Sequence, residues 1–316
     1  MKAFVKTKYG GPEVLKLEEV EMPTIKEDHI LVKVVANAAN PADWHLLRGE
    51  PFFARFTSGL FKPKEKVAGA DFAGTVVGKG SNVIGFEIGD SIFGAKLMGT
   101  AFAEFVSVPV SACARFPKHI SFAEMASVPI AGLTSLQGLI THGKLKAGET
   151  VLINGASGGV GHFAVQIAKV YGATVTAVCS SRNADFVQSL GADKVIAYDQ
   201  ENIHQHNGKY DLVIDANGNL THNDYKRMGR IAVMIGFTTL SHMFSTLFRK
   251  AFSKFPLIQF TVEVNQDDLQ TLAEMVEQGK LKPQIEKEFS YQEIPEAIGY
   301  IEAMRTRGKV VMNWSS

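Results

Sequence analysis

The chain has 316 residues, a formal net charge of +1, 46% hydrophobic residues and 21% charged residues. This is the balance of a folded globular protein with length enough for about two domains. Near-neutrality excludes a global role on nucleic acid. Two cysteines, Cys113 and Cys179, are too few and too far apart to staple such a fold, which points to a reducing, cytoplasmic setting. No run approaches the roughly 18 uncharged apolar residues of a membrane span, and the charged start MKAFVKTKYGG does not read as a signal peptide.

In chain order, the first 120 or so residues alternate short Val/Ile/Phe-rich runs with Gly, Pro and Asp, predicting strands over Ile30 to Ala36, Phe72 to Val77, Ser91 to Gly94 and Ala103 to Val108. After Pro117 come helical patterns at Ser121 to Ser127 and Thr134 to His142. Strands then alternate with helices: strands over Thr150 to Asn154, Thr174 to Cys179, Lys194 to Ala197, Asp211 to Asp215 and Ile231 to Ile235, and helices over Val160 to Tyr171 and Ala184 to Leu190. That alternation predicts a doubly wound parallel sheet. Helices over Asp267 to Gln278 and Pro295 to Arg305, and a last strand Lys309 to Asn313, close the chain.

The run TVLINGASGGVGHFAVQIAKVYGA sets a glycine turn between a buried-type strand and an amphipathic helix, the context in which such a turn binds a dinucleotide. Ala156, Gly158 and Gly161 take the three small-residue positions of the fingerprint, with Ser157, Gly159 and Val160 between them. The first permits the tight turn, the second admits a pyrophosphate to the backbone, and the third lets the helix pack on the strand. Free N–H groups at the helix start then meet the phosphates. At the end of the next strand, an NAD-type site carries an acid for the ribose 2′-hydroxyl. Here stand Cys179, Ser180, Ser181 and Arg182. With no acid among them, two hydroxyls and a guanidinium predict NADPH; Arg182 also reads as a solvated surface residue. Tyr198 either covers the adenosine or is a half-buried sheet tyrosine.

The middle run GASGGVG, the early NPAD (Asn40 to Asp43), GADFAGTVVGKG (Gly69 to Gly80) and FEIGD (Phe86 to Asp90) together resemble the medium-chain dehydrogenase/reductase superfamily. They are similar in particular to its zinc-independent quinone oxidoreductase branch, across essentially the whole chain. The resemblance implies an α/β protein with a GroES-like β-rich catalytic domain from residues 1–122 and 267–316. A doubly wound Rossmann NADP-binding domain, residues 123–266, is inserted between them, and the two halves enclose the active-site cleft. Zinc-dependent alcohol dehydrogenases of the superfamily have a Cys where Asn40 stands and a His-Glu pair where Ala70 and Asp71 stand, so no metal is expected. The pair His204 and His206 reads as a polar loop without a third ligand.

Without a Lewis acid, reduction of an electron-poor acceptor is easier than alcohol oxidation. A quinone or α,β-unsaturated carbonyl accepts hydride directly from the nicotinamide, leaving the protein to orient the partners and exclude water. The resemblance implies Asn40 and Asp43 in the zinc-free pocket and Thr134 near the nicotinamide. It also implies Asn217 in the turn after the fourth strand, Gly236 and Phe237 at the strand end facing the nicotinamide, and Lys309 as a cation returned to the cofactor cleft. N-P-x-D is equally a helix-capping turn, and Lys309 equally a surface strand residue. An alkenal or enone reductase with little quinone activity, and a non-catalytic NADPH-binding structural or regulatory protein, stand as alternatives.

Phe244, Phe248, Phe252 and Phe255 recur at near-helical spacing with Arg249, Lys250 and Lys254, which suits a substrate lid, a dimer-facing helix or, third, peripheral contact with an anionic membrane. A following edge strand, Ile258 to Val264, suits Rossmann sheets pairing in a homodimer, as the resemblance implies.

Overall fold

The computed structural model describes residues 1–52, 55–235, 248 and 253–314, with the backbone alone at residue 57. The chain divides into one unit of Met1–Leu133, Glu263–Gly279 and Pro283–Ser316, and a second of Thr134–Val262 with Lys280–Lys282. Among the described residues no helix is long and apolar enough to cross a membrane.

The first unit holds β1 (Lys2–Val5), β2 (Lys16–Glu19), β3 (His29–Ala38), β4 (Asp71–Lys79), β5 (Ser91–Ala95), β6 (Phe105–Pro109) and β7 (Cys113–Arg115). Along β3 every second side chain turns inward, as a pleated strand requires. Ile30, Val32 and Val34 bury against Phe72, Val76 and Ile92. The first half of β3 pairs with β6 and its last three residues pair with a strand from the other end of the sequence, Lys309–Asn313. That returning strand is parallel to Ile285–Ser290, so the first unit is completed only by the C-terminal residues. Ile285–Ser290 escapes a pattern reading because IEKEFS is charged and mostly solvated. A β-rich unit, antiparallel except for the pairing of its two C-terminal strands, agrees with the expected GroES-like domain.

The second unit contains β8 (Thr150–Asn154), β9 (Thr174–Cys179), β10 (Lys194–Ala197), β11 (Tyr210–Asp215), β12 (Gly229–Met234) and β13 (Leu257–Gln259). They lie in the order β10-β9-β8-β11-β12-β13, every pair parallel. This is the Rossmann order, with its switch point between β8 and β11, where such sheets bind ligands at the carboxyl ends of their strands. The bounds of β8, β9 and β10 are those expected from the sequence. In this unit, two expected elements differ by more than a residue or two at an end. The edge strand is Leu257–Gln259, pairing with β12, not Ile258 to Val264. The helix expected from Thr134 is an α-helix over Pro129–Leu136 that widens into a π-helical turn at Gln137–His142, where Gly143 N–H reaches back to Gly138 O at 2.9 Å.

The helix Gly161–Val170 is buried at every residue from Gly161 to Ala168. Its approach to the sheet depends on Gly161, since a Cβ there would stand 2.1 Å from Gly155 O and 2.7 Å from Ala156 Cα.

Candidate active site

Three neighbouring strands deliver the polar residues of the first unit to one end of its sheet. Ala38 of β3 faces Asp71 of β4 on one side and Val311 of the returning strand on the other. Asn40 follows β3 and Lys309 opens the returning strand, so register alone brings Asn40, Asp71 and Lys309 together. All three are buried. The Lys309 ammonium donates to Asn40 Oδ1 at 2.6 Å and to Ala39 O at 3.1 Å, and it pairs with Asp71 Oδ2 at 3.5 Å. Asn40 Nδ2 donates to the same Asp71 Oδ2 at 2.8 Å. The other oxygen, Oδ1, accepts Ile130 N–H at 3.1 Å. Burial pushes the Asp71 carboxyl up and the Lys309 ammonium down. With three donors on one and three acceptors around the other, the ionised pair is the satisfied state.

Asp43 begins one turn later, in the helix Pro41–Arg48. Its Oδ2 accepts the Asn40 N–H at 2.7 Å, so Asp43 does cap this helix. The Asn40 side chain, however, is directed to Asp71 and Lys309 instead of back to the helix. Desolvation, offset in part by that N–H bond, pushes the Asp43 carboxyl up to about 7. The nearby charges are Asp71, which raises it, and Lys309 and Lys6, which lower it. Lys6 is itself buried, and loss of water lowers its ammonium.

In the second unit the backbone of the glycine turn is open at Gly158. A Cβ on Gly158 would meet only Gly155 O, at 3.4 Å, so the space beside this backbone is open. Ser135 Oγ donates to Val160 O at 2.8 Å, fixing the turn from the helix Pro129–Leu136 that carries Thr134. Across the switch point, Asn154 Nδ2 donates to Asp215 Oδ1 at 2.7 Å. Asp215 also accepts the N–H groups of Asn217, Gly218 and Leu220 and the Tyr225 hydroxyl at 2.7 Å. Five donors on one buried carboxylate set the turn that carries Asn217. At the end of β9, Ser180 Oγ is buried with no hydrogen-bond partner among the described residues, and a nucleotide oxygen there would satisfy it.

Comparison with known proteins identifies the family. An alcohol dehydrogenase GroES-like domain signature matches residues 26–118 and a zinc-binding dehydrogenase signature matches residues 190–312. The chain is 36% identical over 332 residues to the NADPH-dependent alkenal/one oxidoreductase, chloroplastic, of Arabidopsis thaliana, covering 99% of this chain and 79% of that protein. The chain belongs to the medium-chain dehydrogenase/reductase superfamily, in its quinone oxidoreductase branch. A chloroplast envelope quinone oxidoreductase homolog of the same plant is 31% identical, over 96% of this chain and 95% of its own length. The quinone oxidoreductase structure from Coxiella burnetii superposes with a TM-score of 0.87 at 30% identity, with 99% of each chain covered.

Within this superfamily member, the expected residues fall into two groups. Asn40, Asp43 and Lys309 lie together in the first unit. Thr134, Ala156, Ser157, Gly158, Gly159, Val160, Ser180, Ser181, Arg182, Tyr198 and Asn217 belong to the second. Gly236 and Phe237 lie outside the described residues, as do residues 241–252 of the basic aromatic segment apart from the exposed Phe248. Tyr198 follows the last residue of β10 and is 52% exposed. Lys309 is neither a surface residue nor a free cation: its donors are spent on Ala39, Asn40 and Asp71.

Sequence reading missed Asp71 as a partner, because that position entered only as a lost zinc ligand. It also missed Asp199. Ser181 N–H and Oγ both donate to the Asp199 carboxylate, at 2.8 and 2.6 Å, so the β9 end is not free of acid. His204 and His206 serve Asp224, Glu201 and Tyr210 locally.

Proposed function

We propose that the protein reduces quinones or α,β-unsaturated carbonyls with NADPH and without zinc. The observation that carries the reading is the buried Lys309 ammonium set between Asn40 and Asp71. Those two positions, with Ala70, are where a zinc-dependent relative needs Cys, His and Glu. The Asn40 amide is committed on both of its polar atoms and Ala70 offers no donor, so the residues do not fit a catalytic zinc despite the wording of the matched signature. With a fixed ammonium and no Lewis acid, the acceptors that suit the site are those already electron-poor.

The protein is an NADPH-dependent oxidoreductase, and the nucleotide supplies hydride when bound. Residues 156–160 receive its pyrophosphate, with Ser180, Ser181 and Arg182 toward the adenosine ribose, Tyr198 over the adenosine, and Thr134 and Asn217 toward the nicotinamide side. The unpartnered Ser180 hydroxyl and the open backbone at Gly158 support this assignment. Asn40 orients the acceptor pocket. Asp43, protonated up to about pH 7, supplies a proton to the reduced product. A homodimer through the β13 edge and residence in a reducing cytoplasm complete the reading, supported by that edge position and by two buried free cysteines.

NADPH oxidation against quinones, alkenals, enones and simple aldehydes tests it. Turnover is expected with the first three classes and not with simple aldehydes. Tight NADPH binding with no acceptor turned over would replace the enzyme reading by a binding or regulatory one.

A further inference from the structure

We propose that Asp199 sets the choice between NADPH and NADH in this chain, acting as the ribose-side acid that β9 lacks. The inference rests on the nucleotide site argued above. In Rossmann sites that take NADH, an acid at the end of the second strand accepts the ribose 2′-hydroxyl. Here that strand end reads Cys179, Ser180, Ser181, Arg182, and the acid arrives from the neighbouring strand. Tyr198 N–H donates to Cys179 O at 3.0 Å, which draws the end of β10 onto the end of β9. The next residue, Asp199, then takes the backbone N–H of Ser181 at 2.8 Å and its hydroxyl at 2.6 Å.

The consequence is a competition for donors. Ser181 has one N–H and one O–H to offer, and both are already held by a carboxylate. A 2′-phosphate entering beside Ser180 needs those same donors and meets the negative charge of Asp199 at close range. Arg182, exposed and adjacent, offsets one of the like charges. A 2′-hydroxyl, by contrast, donates to the Asp199 carboxylate without displacing it. Asp199 is ionised whenever this choice is made, because the Ser181 hydroxyl and N–H hold its carboxyl below the usual range, with Arg182 adding to the effect. The side chain is exposed, and among the described residues its hydrogen bonds are those to Ser181, so a bound 2′-phosphate has to displace it. Asp199 thus narrows the preference for NADPH that Arg182 and the two serines would otherwise give.

Dissociation constants of NADPH and NADH, measured by nucleotide fluorescence on the full chain, test the assignment in the wild type, Asp199→Asn and Arg182→Ala. Asp199→Asn keeps the shape, removes the charge and sits at an exposed position, so the fold is retained. It is expected to tighten NADPH and weaken NADH, changing their ratio by about tenfold, which corresponds to about 1.4 kcal/mol. Arg182→Ala is expected to shift the ratio the other way. An unchanged ratio in Asp199→Asn, with Arg182→Ala still selective against NADPH, overturns the role of Asp199 and leaves the NADPH site standing. Failure of the wild type to bind either nucleotide overturns both.

Discussion

Lys309 Nζ donates to Asn40 Oδ1 at 2.6 Å, joining residues 269 positions apart in sequence. The bond ties the returning C-terminal strand to the first helix of the chain. It also fixes the asparagine amide so that its other end donates to Asp71. One side chain thus decides the orientation of the next two.

Removing that ammonium leaves a fully buried carboxylate without a counter-charge. Lys309→Met is expected to cost about 3–5 kcal/mol of stability. Lys309→Met with Asp71→Asn is expected to recover a large part of it, because the uncompensated charge goes with its partner. Urea unfolding of the wild type, the single and the double variant gives the comparison. A double variant no more stable than the single one would show that the carboxylate was not the source of the loss.

The Asp43 carboxyl gives a pH signature of known sign. Its folded value of about 7 lies above the unfolded value of about 3.9, so the folded state binds this proton more tightly. Stability contributed by Asp43 is full below about pH 4 and declines as pH rises to about 7. Asp43→Asn abolishes that decline, so the variant gains on the wild type across this window and the gap is constant above it. Unfolding midpoints at pH 4, 5, 6, 7 and 8 resolve the effect. Parallel profiles would mean that the Asp43 carboxyl titrates alike in the folded and unfolded chain.

If the same proton serves the reaction, wild-type kcat for an enone falls above about pH 7. In Asp43→Asn kcat is expected to drop by about 100-fold, the lower end of general-acid effects, with the KM for NADPH nearly unchanged. A KM effect without a kcat effect would assign Asp43 to helix capping alone.

Gly158 and Gly161 separate binding from folding. Gly161→Ala drives a methyl to 2.1 Å from backbone oxygen and is expected to destabilise the protein by about 2–3 kcal/mol, as overpacking does. Gly158→Ala finds only Gly155 O at 3.4 Å, so thermal unfolding changes little. Its methyl projects where the pyrophosphate approaches, and NADPH binding is expected to weaken by more than tenfold. Equal thermal losses in both variants would refute the distinction.

Zinc-independence is checked by dialysis against a strong chelator. Turnover and the unfolding midpoint are expected to stay unchanged. Lost turnover restored by zinc alone would return a metal to Asn40, Asp71 and their neighbours.

Local pattern was sufficient for much of this protein. The strand, glycine turn and helix over residues 150 to 170 follow from hydrophobic periodicity and from small residues at fixed spacing, all within one short stretch of chain. Strands β8, β9 and β10 were legible for the same reason: each is a short apolar run bounded by turn residues. The absence of Cys and His at positions 40 and 70 was equally visible, because it concerns residue types alone. What a linear reading cannot supply is which distant side chains share a hydrogen bond. Lys309 read as a surface or cofactor-facing cation until strand register set it against Asn40 and Asp71. The end of β9 read as free of acid until the sheet order laid β10 beside it and brought Asp199 onto Ser181. In both cases charge and donor type are written in the sequence, but the partner is chosen by strand pairing. A buried or shared hydrogen bond is decided by the partner.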